Sequence, residues 1–397
     1  MKKRLEDLIA KLDKKVLLHH AELIKGQKIS MSEPFSAGQY WICFELVAED
    51  DTLSSHAFDC LATLMPQQQD SRLWSYHGCT PNKVLVPSSP PMLALSMYML
   101  IEGFRGNTLQ DIVPDLCELP LAKLEHVMAQ WTTIQTSLAT LTSPLIGSIS
   151  GITKSGEPII DKLSSAASEG LMSQGPFSEA VEYFTALGEA ALYRASCHES
   201  SPGQSLSRFR RLSAFVFLDM VQSTTFFQGS HARYPLNHMD LGTQNIIVDD
   251  DLNFLAVIDW EFAQTAPWQV NHYPIPFPLL RPDERIKTIL DDPQHLAHRH
   301  ISRQADAREL YCRKFRDAEA KLEEEGVRLG NRFAEVMGSA ASRIYACFSK
   351  LGHSPEQDKG LVYEMVCLAF HCDVERANQY LEKMSNKLVR EDSGVGR

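Results

Sequence analysis

The chain contains no Asn-x-Ser/Thr sequon, no Cys-x-x-Cys pair, no Gly-x-Gly-x-x-Gly loop and no apolar run long enough to span a bilayer. Each absence excludes something. With no sequon and no regular framework, the nine cysteines (Cys43, Cys60, Cys79, Cys117, Cys197, Cys312, Cys347, Cys367 and Cys372) read as reduced thiols of a cytoplasmic protein. The most apolar stretch, residues 91 to 104, opens on Pro91 and contains Glu102, so it is too short and too polar to cross a membrane. Met1-Lys2-Lys3-Arg4 leads into Leu5, Leu8, Ile9, Leu12, Val16 and Leu17, a helical spacing interrupted by charges and unlike the continuous apolar core of a signal peptide. Positive charge is also scarce. Thirty-nine Lys and Arg stand against fifty Asp and Glu, a net charge of -11, which leaves no basic stripe to displace counterions from nucleic-acid phosphates. The acids are scattered, as on an ordinary solvated surface. The expected protein is soluble, with neither membrane nor nucleic acid as partner.

A P-loop is missing too. Gly147-Ser148-Ile149-Ser150-Gly151 precedes Lys154 at the wrong spacing, because the phosphate cradle needs Gly directly before Lys and four residues between its glycines. What the chain does have is His238-Met239-Asp240-Leu241-Gly242-Thr243-Gln244-Asn245, followed by Ile258-Asp259-Trp260-Glu261. Between them lie two apolar, β-prone runs, Ile246 to Val248 and Phe254 to Ile258, joined by the polar turn Asp249-Asp250-Asp251-Leu252-Asn253. Such a hairpin would return the chain on itself and bring Asn245 beside Asp259. A carboxylate before the hairpin could then orient a hydroxyl nucleophile, while the amide and the second carboxylate hold Mg²⁺ on nucleotide phosphates.

These segments resemble the fungal branch of the aminoglycoside phosphotransferase family, whose hallmark is His-x-Asp-x-x-x-x-Asn followed by Ile-Asp-Trp-Glu. Leu145-Ile146-Gly147-Ser148, Gly175-Pro176-Phe177 and Ala263-Gln264-Thr265-Ala266-Pro267-Trp268 extend the likeness over roughly residues 90 to 280. The resemblance implies an α+β, two-lobed protein-kinase-like fold, with a small β-rich N-terminal lobe over 1–103 and a large helical lobe over 104–397. It implies ATP and Mg²⁺ as cofactors and a small-molecule hydroxyl as acceptor, in the setting of fungal secondary metabolism. Residue by residue, it makes Asp240 the catalytic base, His238 the brace of the catalytic loop 238–245, and Asn245 and Asp259 the metal ligands, the latter on a metal loop 258–261. Ile101, which ends the strand begun by Met97, and Glu102 and Gly103 after it would meet the nucleotide through their backbone. Ser36 and Gly38 would sit in a turn over the phosphates, although a single glycine is equally an ordinary turn.

The chain also departs from that pattern. Relatives carry a basic residue on the strand after the first long one and a Glu on the following helix. Here Thr63 stands at the position of the cation, in Cys60-Leu61-Ala62-Thr63-Leu64, and Asp70 is the only acid between Leu64 and Ile101. Prolines at 66, 81, 87, 90 and 91 leave little room for the helix, and the interval 53–90 reads as partly degenerate. Arg72 or Lys83 would be the substitute cations. A second reading follows from this loss, a catalytically impaired pseudokinase that binds nucleotide or acts as a scaffold. A protein kinase fits less well, since Asp-Trp-Glu replaces Asp-Phe-Gly and no Ala-Pro-Glu follows.

The remainder reads as helical. Leu121, Leu124, Val127, Met128, Trp131, Ile134 and Leu138 make one core-facing stripe within 119–141, and 177–195 forms a second helix. Residues 281–391 are helical with breaks near Gly326 and Gly352. Trp268, His272, Tyr273, Pro274, Pro276 and Phe277 suit either a pocket wall or a packed loop. His295, His298 and His300 have no visible fourth ligand and read as surface histidines.

Overall fold

A computed structural model describes residues 13–33, 36–37, 42–49, 59–65, 97–103, 106–166, 170–197, 204–228, 233–273, 283–352 and 355–394. The chain forms two compact units, Met1–Gly106 with Ser150–Ile159, and Asn107–Ile149 with Ile160–Arg397. Gly38, Arg72, Lys83, Pro274, Pro276 and Phe277 lie outside the described residues, as does most of 53–90.

The first unit begins with α1 (Lys14–Lys25), which starts where the Asp13 carboxylate accepts from the backbone N–H groups of Lys15 and Val16. It stops at Gly26, whose φ of 70° suits a residue without a side chain. Five antiparallel strands follow: β1 (Ile29–Met31), β2 (Ser36–Ala37), β3 (Ile42–Ala48), β4 (Asp59–Met65) and β5 (Met97–Gly103). They pair in the order β1-β3-β4-β5, with β2 also on β3. Alternation places Phe44 and Leu46 of β3 in the core with Leu17 and Ala21 of α1. One boundary differs from expectation. The strand expected to end at Ile101 continues through Glu102 and Gly103, because these pair with Cys60 and Asp59 of β4. Thr63 is likewise held in the ladder, opposite Cys43 and Met99.

In the second unit, β6 (Asn107–Thr108) leads into the short α2 (Leu109–Ile112) and then α3 (Leu121–Ala139). The α3 stripe is buried at Leu124, Val127, Met128, Trp131 and Leu138. Leu121 departs from that reading, being 65% exposed on the first turn, directly after Pro120. β7 (Thr142–Ser143) and the hairpin of β8 (Gly147–Ile152) with β9 (Pro158–Asp161) come next. Gly147 cannot be replaced cheaply, since a β-carbon there would overlap the Asp161 carbonyl oxygen. Helices α4 (Ala180–Cys197) and α5 (Gln204–Ser223) then cross to β10 (Tyr234–Asn237).

The hairpin read from the sequence is present as β11 (Ile246–Val248) and β12 (Phe254–Val257), antiparallel, with a bulge at Val248. Its turn is organised by Asp249, whose carboxylate accepts from the N–H groups of Asp251 and Asn253. β11 also pairs with β6, giving the order β12-β11-β6. β13 (Gln264–Thr265) joins a separate sheet of order β7-β10-β13-β8-β9. The chain then becomes helical as expected, in α6 (Asp283–Asp291), α7 (His298–Glu324), α8 (Phe333–Gly338), α9 (Ala340–Lys350), α10 (Pro355–Phe370) and α11 (Val374–Gly394). Gly326 and Gly352, with φ of 81° and 87°, mark two of the breaks. Among the described residues no helix is long and apolar enough to cross a membrane.

Two cores fill this unit. One gathers Phe184, Phe217 and Phe227 with residues of α9, α10 and α11, and Phe348 stacks on Phe217 at 3.7 Å. The other packs α3 against α7 through Trp131, Tyr311 and Phe315, with Phe333 stacked on Phe315 at 4.5 Å. Each buried aromatic of this kind contributes about 1.5–3 kcal/mol over its exposed state, so the platform under β10 and the hairpin is rigid. The α+β character expected from the sequence is therefore the observed one, a β-rich unit and a larger, mainly helical one.

Candidate active site

Residues 238 to 261 run from the end of β10, through a 3-10 turn at Thr243–Asn245, along the hairpin, to a second 3-10 turn at Trp260–Phe262. The hairpin closes on itself at its base. Ile258 N–H donates to the Asn245 carbonyl oxygen at 2.9 Å, which draws the residues flanking the two arms together as the sequence predicts.

His238 is buried, 1% exposed, and its Nε2–H donates to the Ile258 carbonyl oxygen at 2.9 Å. Its ring also meets that of Trp260 edge-on at 4.6 Å. Burial lowers the imidazole pKa more than that hydrogen bond and the Asp240 charge raise it, so the ring is neutral and joins the end of β10 to the end of β12. Its Nδ1 has no partner among the described residues, consistent with an Nε2–H tautomer.

Asp240 is gripped by two amides. Asn245 Nδ2 donates to its backbone oxygen at 2.8 Å and to carboxylate Oδ2 at 3.1 Å, and Gln244 Nε2 approaches Oδ1 at 3.3 Å. Both hydrogens of the Asn245 amide are thereby used, and its Oδ1 is left as an oxygen donor. Asn245 is buried, 5% exposed, so that orientation is fixed by packing.

Asp259 adopts a left-handed backbone, φ 65° and ψ 54°, which costs a non-glycine residue roughly 1–2 kcal/mol. Burial, and then the nearby Asp240 charge, raise its carboxyl pKa. Glu261 is pushed up to about 7, by burial first and then by Asp259 and Asp240. Three carboxyls thus crowd one another, and no Lys or Arg among the described residues forms an ion pair with them. Carboxylates so placed are complementary to a hard cation bound through oxygen. Among the described residues no group of three or more His, Cys, Asp or Glu makes a self-sufficient metal cage. A cation here would therefore share its coordination with phosphate or water, the habit of Mg²⁺ in nucleotide sites. Asn245 Oδ1 and the Asp259 carboxylate are the residues that could hold such an ion.

Four further residues hold this arrangement and were not read from the sequence. Asn237 Oδ1 accepts from Met239 N–H at 2.7 Å, an Asx-type turn that supports Met239 at φ 67° just before Asp240. Asn237 is itself fixed by Asn271, whose Oδ1 accepts from Asn237 Nδ2 at 2.7 Å and whose Nδ2 donates to the Trp268 carbonyl at 3.1 Å. Ser164 Oγ donates to the Glu261 carbonyl at 2.7 Å, and Ser164 N–H donates to Ser148 Oγ at 3.0 Å, which ties the metal loop to the β8–β9 hairpin. The only sequence signal for these was position. Asn237 lies one residue before His238, and Ser148 falls inside the family-like Leu145-Ile146-Gly147-Ser148 segment.

Other candidates fall elsewhere. Trp268 is buried and packs on Phe333, while the half-buried His272 meets the Tyr345 ring edge-on. His295 Nδ1 accepts from Ala297 N–H and His298 Nε2 contacts the Leu290 carbonyl, local turn contacts in place of a metal site. Ser36 lies in β2, and Ile101, Glu102 and Gly103 end β5, which is an edge of its sheet among the described strands.

No protein-family model matches the chain, and no curated protein matches its sequence. Similar solved structures include a protein assigned as a fructosamine-3-kinase from Thermobifida fusca, at 11% identity and a TM-score of 0.43, covering 89% of this chain and 98% of that one. A type I macrolide 2'-phosphotransferase is similar at 11% identity and a TM-score of 0.38, covering 89% and 96%. A MAP kinase from Leishmania major follows at 9% identity and a TM-score of 0.15, covering 94% and 98%. At such values the weight rests on the site itself.

Proposed function

We propose that this chain is an ATP-dependent small-molecule O-phosphotransferase of kinase-like fold. The observation that carries the reading is the convergence of Asp240, Asn245 and Asp259 at the base of one hairpin, with Ile258 N–H bonded to the Asn245 carbonyl. In this reading Asp240, its carboxylate oriented by the two amides, receives the proton of an acceptor hydroxyl. The hydroxyl oxygen forms a bond to the γ-phosphorus of ATP as the bond from that phosphorus to the β,γ-bridging oxygen breaks, releasing ADP. Asn245 and Asp259 would hold Mg²⁺, which when bound offsets the charge of the phosphates. The nucleotide contacts that the motif likeness implies at Ile101, Glu102 and Gly103 would be made through backbone groups at the end of β5. The crowded carboxyls favour an acceptor delivered with a metal-bound nucleotide over a free anionic one.

Purified protein with ATP, Mg²⁺ and a metabolite extract should convert one hydroxylated compound to its phosphate, seen by ³¹P resonance or mass shift. Asp240→Ala should lower turnover by on the order of 10²–10⁴ while nucleotide affinity stays within a few-fold; unchanged turnover removes Asp240 from the mechanism.

One observation favours a second reading. Thr63 occupies the β4 position where the resemblance implies a phosphate-pairing cation, and losing one such contact costs on the order of 10²–10³ in rate. Mg²⁺-dependent ATP binding without consumption across the same extract would make the chain a nucleotide-binding scaffold. Fungal secondary metabolism is the setting that the motif likeness suggests for either role.

A further inference from the structure

The C-terminal end of α10 places two cysteines at positions that a particular helix ending forces together. α10 ends at Phe370, and His371 takes a left-handed backbone with φ of 49°. The next residue, Cys372, donates its N–H to the carbonyl of Cys367 at 3.3 Å, five residues back. This is the six-to-one bond of a Schellman ending, in which the residue two past the helix cap lies against the residue three before the cap and their side chains commonly touch. In most helices that contact joins two apolar side chains; here it joins two thiols. Cys372 Sγ also lies 3.9 Å from the Val366 carbonyl, which points it back along the helix toward Cys367. Both thiols are half-buried at the edge of the larger core, within reach of small reagents and free in the reduced chain.

We propose that Cys367 and Cys372 form a modification site, at which a peroxide or a low-molecular-weight disulfide closes an intrachain disulfide across the helix ending. The six-to-one hydrogen bond holds the two residues against each other, as a disulfide, with its α-carbons about 4.4–6.8 Å apart, requires. Burial, and then the neighbouring Cys372, push the Cys367 thiol up to about 11, which keeps Cys367 protonated and suits it to the resolving role. With hydrogen peroxide, Cys372 sulfur bonds to one peroxide oxygen as the O–O bond breaks, giving a sulfenic acid and water. Cys367 sulfur then bonds to Cys372 sulfur as the S–O bond breaks, and hydroxide leaves with the Cys367 proton as a second water. Two thiols lose two electrons in total and one peroxide gains them. Four other cysteines have different company: Cys312 is bonded to the Tyr273 hydroxyl, Cys117 neighbours Asp115, Cys347 is buried beside Glu364 and the exposed Cys197 lies beside Tyr193.

The full chain, treated with hydrogen peroxide and then with a thiol-blocking reagent, should lose two free thiols. The peptide spanning 367 to 372 should become lighter by two hydrogens and return to its mass on reduction. Cys367→Ser should abolish the linkage and leave a sulfenic acid on Cys372 that a dimedone probe labels. His371→Gly, which keeps the left-handed cap, should close as fast as the parent chain, and His371→Ile should slow closure by roughly tenfold. A two-hydrogen loss mapping to any other pair, persistence of the linkage in Cys367→Ser, or closure indifferent to His371→Ile would overturn the assignment.

Discussion

Asn245 Nδ2 lies 3.1 Å from Asp240 Oδ2 and 2.8 Å from the Asp240 backbone oxygen, so in the proposed mechanism one buried amide both positions the base and orients its own oxygen for a cation. The two roles are inseparable in one side chain, and their loss should be visible together.

Asn245→Leu keeps the approximate volume and removes both roles. Turnover should fall on the order of 10²–10³, and the Mg²⁺ concentration for half-maximal rate should rise in the same variant. Steady-state rates over a Mg²⁺ titration separate the effects, and an unshifted Mg²⁺ curve would release Asn245 from metal binding.

Asn271→Leu should act at a distance. It leaves the Asn237 amide without its Asn271 partner and removes one of the two donors to the Trp268 carbonyl, which costs about 1–3 kcal/mol for a buried group. Turnover should fall while KM for ATP holds, because the Met239 turn before Asp240 loses its support. Adding Met239→Gly, which takes φ of 67° without strain, should restore part of the turnover; no restoration means that Asn271 contributes stability alone.

Acidification should weaken the fold through His238. Burial holds its folded pKa below the free imidazole value near 6.5, so the unfolded chain binds the additional proton. Stability from the neutral ring is complete above about pH 6.5 and is lost as pH falls from there through the folded value. His272 is lowered by burial in the same sense. The thermal midpoint should drop between about pH 7.5 and 5.5, and His238→Gln, whose amide can still donate to the Ile258 carbonyl, should drop less. Equal slopes for parent and variant would exclude His238 as a contributor.

How far the sequence carried these features depends on what kind of signal each leaves. The hairpin was legible because alternating apolar runs and an Asp-rich turn are local, and the α3 stripe because period 3.6 survives over five turns. Glu102 and Gly103 read as a loop because both are poor strand formers, yet pairing with Cys60 and Asp59 outweighs that preference. The Asn237–Asn271 and Ser164–Glu261 contacts had no pattern to betray them. Single polar side chains meeting over 34 and 97 positions leave no periodicity, and only the folded chain discloses them.

The Ile258–Asn245 bond has one more consequence. Because the hairpin is pinned at its base, the reach of its arms and the gap between its ends are independent quantities. Residues added in pairs at the Asp249–Asn253 turn would lengthen the arms and change the count between Asn245 and Asp259, yet the two would remain neighbours. The fourteen-residue interval is thus one permitted length of a clasp whose jaws are set by a single backbone contact. Chains with other intervals between these residues could carry the same jaws.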